Sequence, residues 1–220
     1  MNNISIAPEI RKKCPDLVLG CFSCQLTWEA SSKGLEKKIQ DTCASLAQEL
    51  TRPEISQIEA IASSRAAYKA LGKDPSRYRL SAEALLRRVV SGKGLYQINT
   101  IVDTLNLISI KTGYSIGGYD AAKIEGDIVL GIGAKGELYE GIGKGDLNIE
   151  HLPVFRDNKG AFGTPTSDST RTMVTENTSS FLMVFLNFGN HATLKDSLIQ
   201  TKSLYEEYTN ATDCQTLIIE

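Results

Sequence analysis

The stretch Ile98–Leu130, INTIVDTLNLISIKTGYSIGGYDAAKIEGDIVL, changes its hydrophobic period halfway along, and that change decides the fold class. From Asn99 to Lys111 apolar residues recur at helical spacing, and Gly113 supplies a stop. Beyond it, Ser115–Tyr119 and Asp127–Gly133 carry the short apolar runs and glycine punctuation of strands. A helix that hands over to strands at one glycine implies an α+β protein, with helices gathered against a sheet.

The flanks extend the same reading. Upstream, Ile4–Ile6 is a short strand before a turn at Pro8, and LVLGCFSCQLTW (Leu17–Trp28) is a long one. Ser32 caps a helix over Lys33–Leu50, and Thr51-Arg-Pro-Glu54 is a capping box that starts a single helix running to Gly72. Ser81 opens another helix, which carries Arg87 and Arg88. Downstream, strands are expected at Glu137–Gly141, Pro153–Arg156 and Arg171–Val174. The run FLMVFLNF (Phe181–Phe188) is almost continuously apolar and should be a central strand buried on both faces. A last helix covers Thr193–Thr209. The architecture expected is a largely antiparallel sheet covered by helices, in one unit over residues 1–220 with no linker composition.

Composition excludes several classes. With 220 residues, 41% hydrophobic and 23% charged, the chain can bury a sizeable core. No apolar run approaches the ~20 residues of a membrane span, and the N-terminus lacks a basic segment followed by an apolar one, so a cytoplasmic protein is expected. The five cysteines are scattered, which argues against a disulfide framework; Cys21 and Cys24 point to opposite faces of a strand and are read as core, with no metal site. The net charge of −2 means that nucleic-acid binding must rest on a local patch. Arg77, Arg79, Arg87, Arg88 and Lys93 form one; a solvated helix face is the competing interpretation.

The glycine pattern GIGAKGELYEGIGKG (Gly131–Gly145) is entered by a strand but not followed by a helix, so it is a β-turn region and not a dinucleotide loop. The richest polar cluster is GTPTSDSTRTMVT (Gly163–Thr175), with Ser167, Asp168, Ser169, Arg171 and Thr172 on a loop expected to enter a strand. Its alternative is a hydrogen-bonded turn. Asp103 and Asn106 share a helix face, and Asp120 follows Gly117 and Gly118; together they suggest a pocket rim. His151 and His191 are expected in loops, neither having a serine or cysteine partner in the sequence.

The ordered series from RLSAEALLRR through Ile101, Val102, Asp103, Asn106, Gly113, Tyr119 and Asp120 to FLMVFLNF resembles the B3/B4 domain of the bacterial phenylalanyl-tRNA synthetase β subunit. The resemblance is best over residues 79–188; residues 1–75 follow only its general arrangement. There the domain is an internal module; here it resembles a free-standing one. The resemblance implies tRNA binding at the acceptor end and hydrolysis, in trans, of the ester of a mischarged aminoacyl-tRNA. Asp168 or Asp120 would position or deprotonate the water, and Asn106 would bind the α-amino group. The amides of Gly117 and Gly118 would stabilise the oxyanion, and Arg171 a substrate oxygen or phosphate. Ser167, Ser169 and Thr172 complete the expected substrate loop, and Arg77, Arg79, Arg87, Arg88 and Lys93 the RNA face. An aminoacyl ester or amino acid is the small ligand; no cofactor, metal, DNA or membrane partner is implied. Leu105, Gly117 and Val184 stand where the family has a threonine, a histidine and a glutamate, so tyrosine specificity is not inherited. Either the polar groups have moved to the Ser167–Thr172 loop, or the scaffold is a non-catalytic module that binds tRNA, an amino acid or a nucleoside. A small-molecule-binding protein with no RNA role is a third reading.

Overall fold

The computed structural model describes residues 3–220, so the first two residues of the expected 1–220 unit lie outside the described residues. In chain order the elements are β1 (Ile4–Ile6), α1 (Pro8–Lys13), β2 (Val18–Gln25), α2 (Lys33–Glu49), α3 (Arg52–Ile55), α4 (Glu59–Leu71), α5 (Ser81–Val90) and α6 (Thr100–Thr112). They continue with β3 (Ile116–Asp120), β4 (Ile128–Ile132), β5 (Glu140–Gly141), β6 (Gly145–Asp146), β7 (Pro153–Asp157), β8 (Gly160–Gly163), β9 (Ser180–Asn187), α7 (Thr193–Tyr208) and β10 (Thr212–Ile219). Among the described residues no helix is long and apolar enough to cross a membrane.

The α+β class and the antiparallel bias hold, but the strands form two four-stranded sheets, ordered β10-β2-β9-β3 and β1-β4-β7-β8, plus the hairpin β5-β6. Among the described residues only β1 and β4 run parallel. Two sheets arise because β2 and β9 are apolar on both faces, and each face needs its own cover. On one face Val18, Phe22, Phe181, Met183 and Phe185 pack with Leu35 of α2, Leu107 of α6 and Tyr205 of α7. On the other, Leu19, Leu182, Val184 and Leu186 meet Leu130, Phe155 and Phe162 of the second sheet. Cys24 belongs to the first core and Cys21 to the second, as their spacing requires. Each of these fully buried large side chains contributes about 2 kcal/mol of transfer free energy.

Several local expectations are corrected. The helix expected from the capping box to Gly72 is two, α3 and α4, because Ile58 adopts an extended conformation (φ −55°, ψ 125°) and serves as the N-cap of α4. The capping box itself is made, Thr51 N–H donating to Glu54 Oε2 at 2.7 Å. Arg171–Val174 is not a strand: Thr170–Thr172 is a 3-10 turn, opened by the Ser169 hydroxyl accepting from the Arg171 amide at 3.2 Å. The strand expected over Glu137–Gly141 shrinks to Glu140–Gly141, since the Glu137 carboxylate closes a turn on the Ala134 amide and pairs with Arg156. Helix α1 and strands β6, β8 and β10 had no clear periodic signal. The Gly131–Gly145 region is turn chemistry, with positive φ at Gly136, Gly143 and Gly145.

Candidate nucleic-acid interface and substrate cavity

Helix α5 builds the first wall. Its apolar stripe, Leu86 and Val89, is buried, while Glu83 from the same helix is carried inward until its residue is only 1% exposed. A buried carboxylate needs cations, and three arginines converge on it: Arg65 at 2.8 Å, Arg87 at 3.0 Å and Arg79 at 3.8 Å. One negative charge against three positive ones leaves net positive charge beside α5. The opposite wall is the β5-β6 hairpin, where Lys144 Nζ donates to the Thr166 carbonyl at 3.1 Å. Burial and the charge of Arg79 lower the Lys144 pKa. Between the walls lies a cleft of about 710 Å³ bordered by Arg52, Arg79, Arg87, Arg88, Lys93 and Lys144, with no acidic residue in its lining. The Arg88 guanidinium lies 3.8 Å from the ring centroid of Tyr96, which is 56% exposed and offers an aromatic face at the rim.

The cleft opens inward into a second cavity of about 290 Å³. Ser81, Leu85, Ile98, Val102, Asn106 and Ile142 border both. Asn106 is placed there by α6, which starts where the Asn99 side chain accepts from the Val102 amide at 2.9 Å. Leu105, Ile116, Met173, Val174 and Phe181 make most of the remaining wall apolar, with Ser109 and Asp168 as its other polar residues. Gly118 lets them close together: a β-carbon there would collide with Leu105 and come within 3.2 Å of Phe181.

Asp168 stands at the polar end of this cavity. Its loop is fixed on both sides, because Ser81 N–H donates to Pro165 O, Ile142 N–H to Asp168 O and Tyr139 Oη to Ser167 O. Asp168 Oδ2 accepts from Gly118 N at 3.1 Å, and Oδ1 is buried without a hydrogen-bond partner. Burial pushes the Asp168 carboxyl up to about 7, against the Gly118 amide and the Tyr119 phenol, which lower it. Tyr119 Oη is likewise buried and faces this carboxylate, its pKa raised by burial and then by the Asp168 charge. The phenol fills the space over Gly117 and Gly163, where any β-carbon would overlap it. That is the physical reason why position 117 has no side chain.

The expected site residues therefore separate. Asn106, Gly118 and Asp168 meet at the inner cavity; Ser167, Arg79, Arg87, Arg88 and Lys93 line the outer cleft. Arg77 is exposed and lies outside that lining. Asp120 is corrected as a second catalytic carboxylate: it accepts from Ala122 N at 3.1 Å and Thr178 Oγ1 at 2.9 Å, and lines neither space. Arg171 is corrected as a substrate contact, since it pairs with Asp157 at 2.8 and 3.1 Å and donates to the carbonyls of Lys123 and Gly160. Ser169 caps the 3-10 turn and Thr172 is buried, its hydroxyl directed to Phe162 O at 3.5 Å, so neither reaches the cavity. The Gly118 amide is occupied by Asp168 and Gly117 lies against Tyr119, which corrects the expected oxyanion role of the pair. Asp103 ties the preceding loop to α6 by accepting from Ile98 N at 3.0 Å. Val184 faces the inter-sheet core, away from the cavity. Arg52, Lys144 and Tyr96 have no distinguishing signal in the sequence beyond the basic charge of the first two, and Tyr119 enters there only as part of the family pattern.

The B3/4 domain family model matches residues 63–208. Among solved structures, the chain is similar to an N-terminal fragment of the phenylalanyl-tRNA synthetase β-subunit from Pyrococcus horikoshii, at 13% identity and a TM-score of 0.49. That match covers 96% of this chain and 49% of the other, so the chain spans about half the length of that structure. No curated protein matches it.

Proposed function

The chain belongs to the B3/4 domain family, and from that premise we propose that it binds the acceptor end of a tRNA in the basic cleft and hydrolyses an aminoacyl ester presented to the inner cavity. The observation that carries this reading is the continuity of the two spaces: a cationic cleft suited to a phosphate backbone leads directly into an apolar cavity whose far end holds a carboxylate. Tyr96 on Arg88 offers a stacking surface for a base, and Asn106 at the junction an acceptor for the α-amino group.

Asp168 Oδ1 is the general base. A pKa raised to about 7 keeps it partly ionised near neutrality while making it basic enough to take a proton from water. Water attacks the ester carbonyl as its proton moves to Oδ1; the carbon–oxygen bond to the ribose breaks, and the ribose oxygen leaves with the proton that Oδ1 took, which regenerates the carboxylate. Tyr119 acts behind Asp168, restraining and tuning it.

The test is release of amino acid from a panel of charged tRNAs, correctly and incorrectly paired. Wild type is expected to act on a subset, and Asp168→Ala to lose about 10²–10⁴-fold in rate. Silence across the panel together with salt-sensitive tRNA binding would overturn hydrolysis and leave a binding module.

A further inference from the structure

Outside the cleft, His191 sits in the loop between β9 and α7 with its ring held between two residues of α4. Nδ1 lies 3.0 Å from Glu59 Oε1, and Nε2 lies 3.1 Å from Ser63 Oγ. Glu59 and Ser63 are one helical turn apart and share a face. The imidazole is firmly placed: its side chain is 11% exposed. Asn187 accepts from His191 N and donates to His191 O, each at 3.0 Å. Gly189 lies so close to the ring that a β-carbon would overlap it. An ionised glutamate only accepts, so the contact at Nδ1 places the ring proton there and leaves Nε2 able to accept; the Ser63 hydroxyl beside it has the Ala60 carbonyl, at 3.2 Å, as its other acceptor. Nucleophile, base and orienting carboxylate thus stand in the order that activates a serine. A cavity of about 380 Å³ adjoins the imidazole and Glu59, with Lys111, Thr193 and Gln200 in its walls. Ser63 itself is half-buried and stands just outside that lining.

We propose that Ser63, His191 and Glu59 form a second, independent hydrolytic site that takes short-chain carboxylic esters. Ser63 Oγ attacks the ester carbonyl and its proton passes to His191 Nε2. The carbon–oxygen bond of the ester breaks, and the alcohol departs with that proton. Water then attacks the acyl-serine, giving a proton to Nε2; the carboxylic acid is released and the proton returns to Ser63 Oγ. Glu59 stabilises the imidazolium formed in each half.

The experiment pairs 4-nitrophenyl acetate turnover with labelling by a fluorophosphonate, located by peptide mass spectrometry. The expected result is an adduct on Ser63, absent from Ser63→Ala, and a fall in turnover of at least about tenfold in Ser63→Ala and in His191→Gln. Circular dichroism checks that each variant is folded; Ser63→Ala, a small change on a helix surface, decides the matter should His191→Gln lose its fold. A purely packing role for the three residues would leave Ser63 unlabelled. No adduct on Ser63, or unchanged turnover in folded Ser63→Ala, overturns the proposal. Mapping the adduct separates this site from any ester cleavage at Asp168.

Discussion

Two of the carboxylates that hold arginines in this molecule, Glu83 beside the cleft and Asp157 at the β7-β8 corner, do so with opposite outcomes. Glu83 is outnumbered by Arg65, Arg79 and Arg87, so the α5 wall keeps net positive charge facing the cleft. Asp157 meets Arg171 one to one in a bidentate pair, and the remaining Arg171 donors go to carbonyls. An arginine contributes to a nucleic-acid surface only where its neighbourhood leaves charge and donors over. Asp168 is the reverse case, a carboxylate held by the Gly118 amide and by no ion pair among the described residues.

The sharpest break between the two regions is Arg171→Ala. It leaves the covered Asp157 carboxylate unpaired, and because that pair lies just under the surface a loss of about 3 kcal/mol is expected in urea unfolding, with tRNA binding per folded molecule unchanged. A loss under about 0.5 kcal/mol would place Arg171 with the cleft arginines instead. Asp168→Asn is next and depends on pH. The folded-state pKa of about 7 lies above the ordinary 3.8, so the stability that this carboxyl contributes is fully present below pH 4 and is lost as pH rises towards 7. The variant is therefore expected to match wild type at pH 4 and to exceed it at pH 8 by on the order of 2–4 kcal/mol. Identical stability profiles would mean that the carboxylate is not desolvated.

At the α5 wall the effects are distributed. Arg87→Glu combined with Lys144→Glu is expected to weaken tRNA binding about 10–30-fold at low salt, and to lower the salt slope by roughly 0.7–0.9 for each lost phosphate contact. Arg77→Ala, outside the cleft, should change affinity by less than about twofold. An Arg77 effect as large as that of the double variant would move the RNA face to the α4–α5 connection.

Helices α2, α5, α6 and α7, the central strand β9 and the handover at Gly113 could be read from the sequence because each is a local pattern of period, cap or glycine, whereas α1 and the break between α3 and α4 could not. The number of sheets could not, since it depends on both faces of β2 and β9 finding cover. The loop from Gly163 to Thr172 shows the same limit at single residues. Asp168 and Arg171 are both charged residues in a polar loop, and only the positions of Asp157, Gly118 and Tyr119 decide which is satisfied and which is not. His191 looked like a lone loop residue because its serine partner lies 128 positions away.

The central claim is that binding and chemistry lie in separate but continuous spaces, and it is tested by measuring tRNA affinity and amino-acid release on the same preparations of wild type, Asp168→Ala and Arg87→Glu/Lys144→Glu. The account predicts a crossed result: Asp168→Ala binds charged tRNA as wild type does but releases amino acid at least about 10²-fold more slowly, whereas the double variant binds weakly and recovers its rate at saturating tRNA. Equal loss of affinity and turnover in both variants, or full turnover in Asp168→Ala, would contradict it.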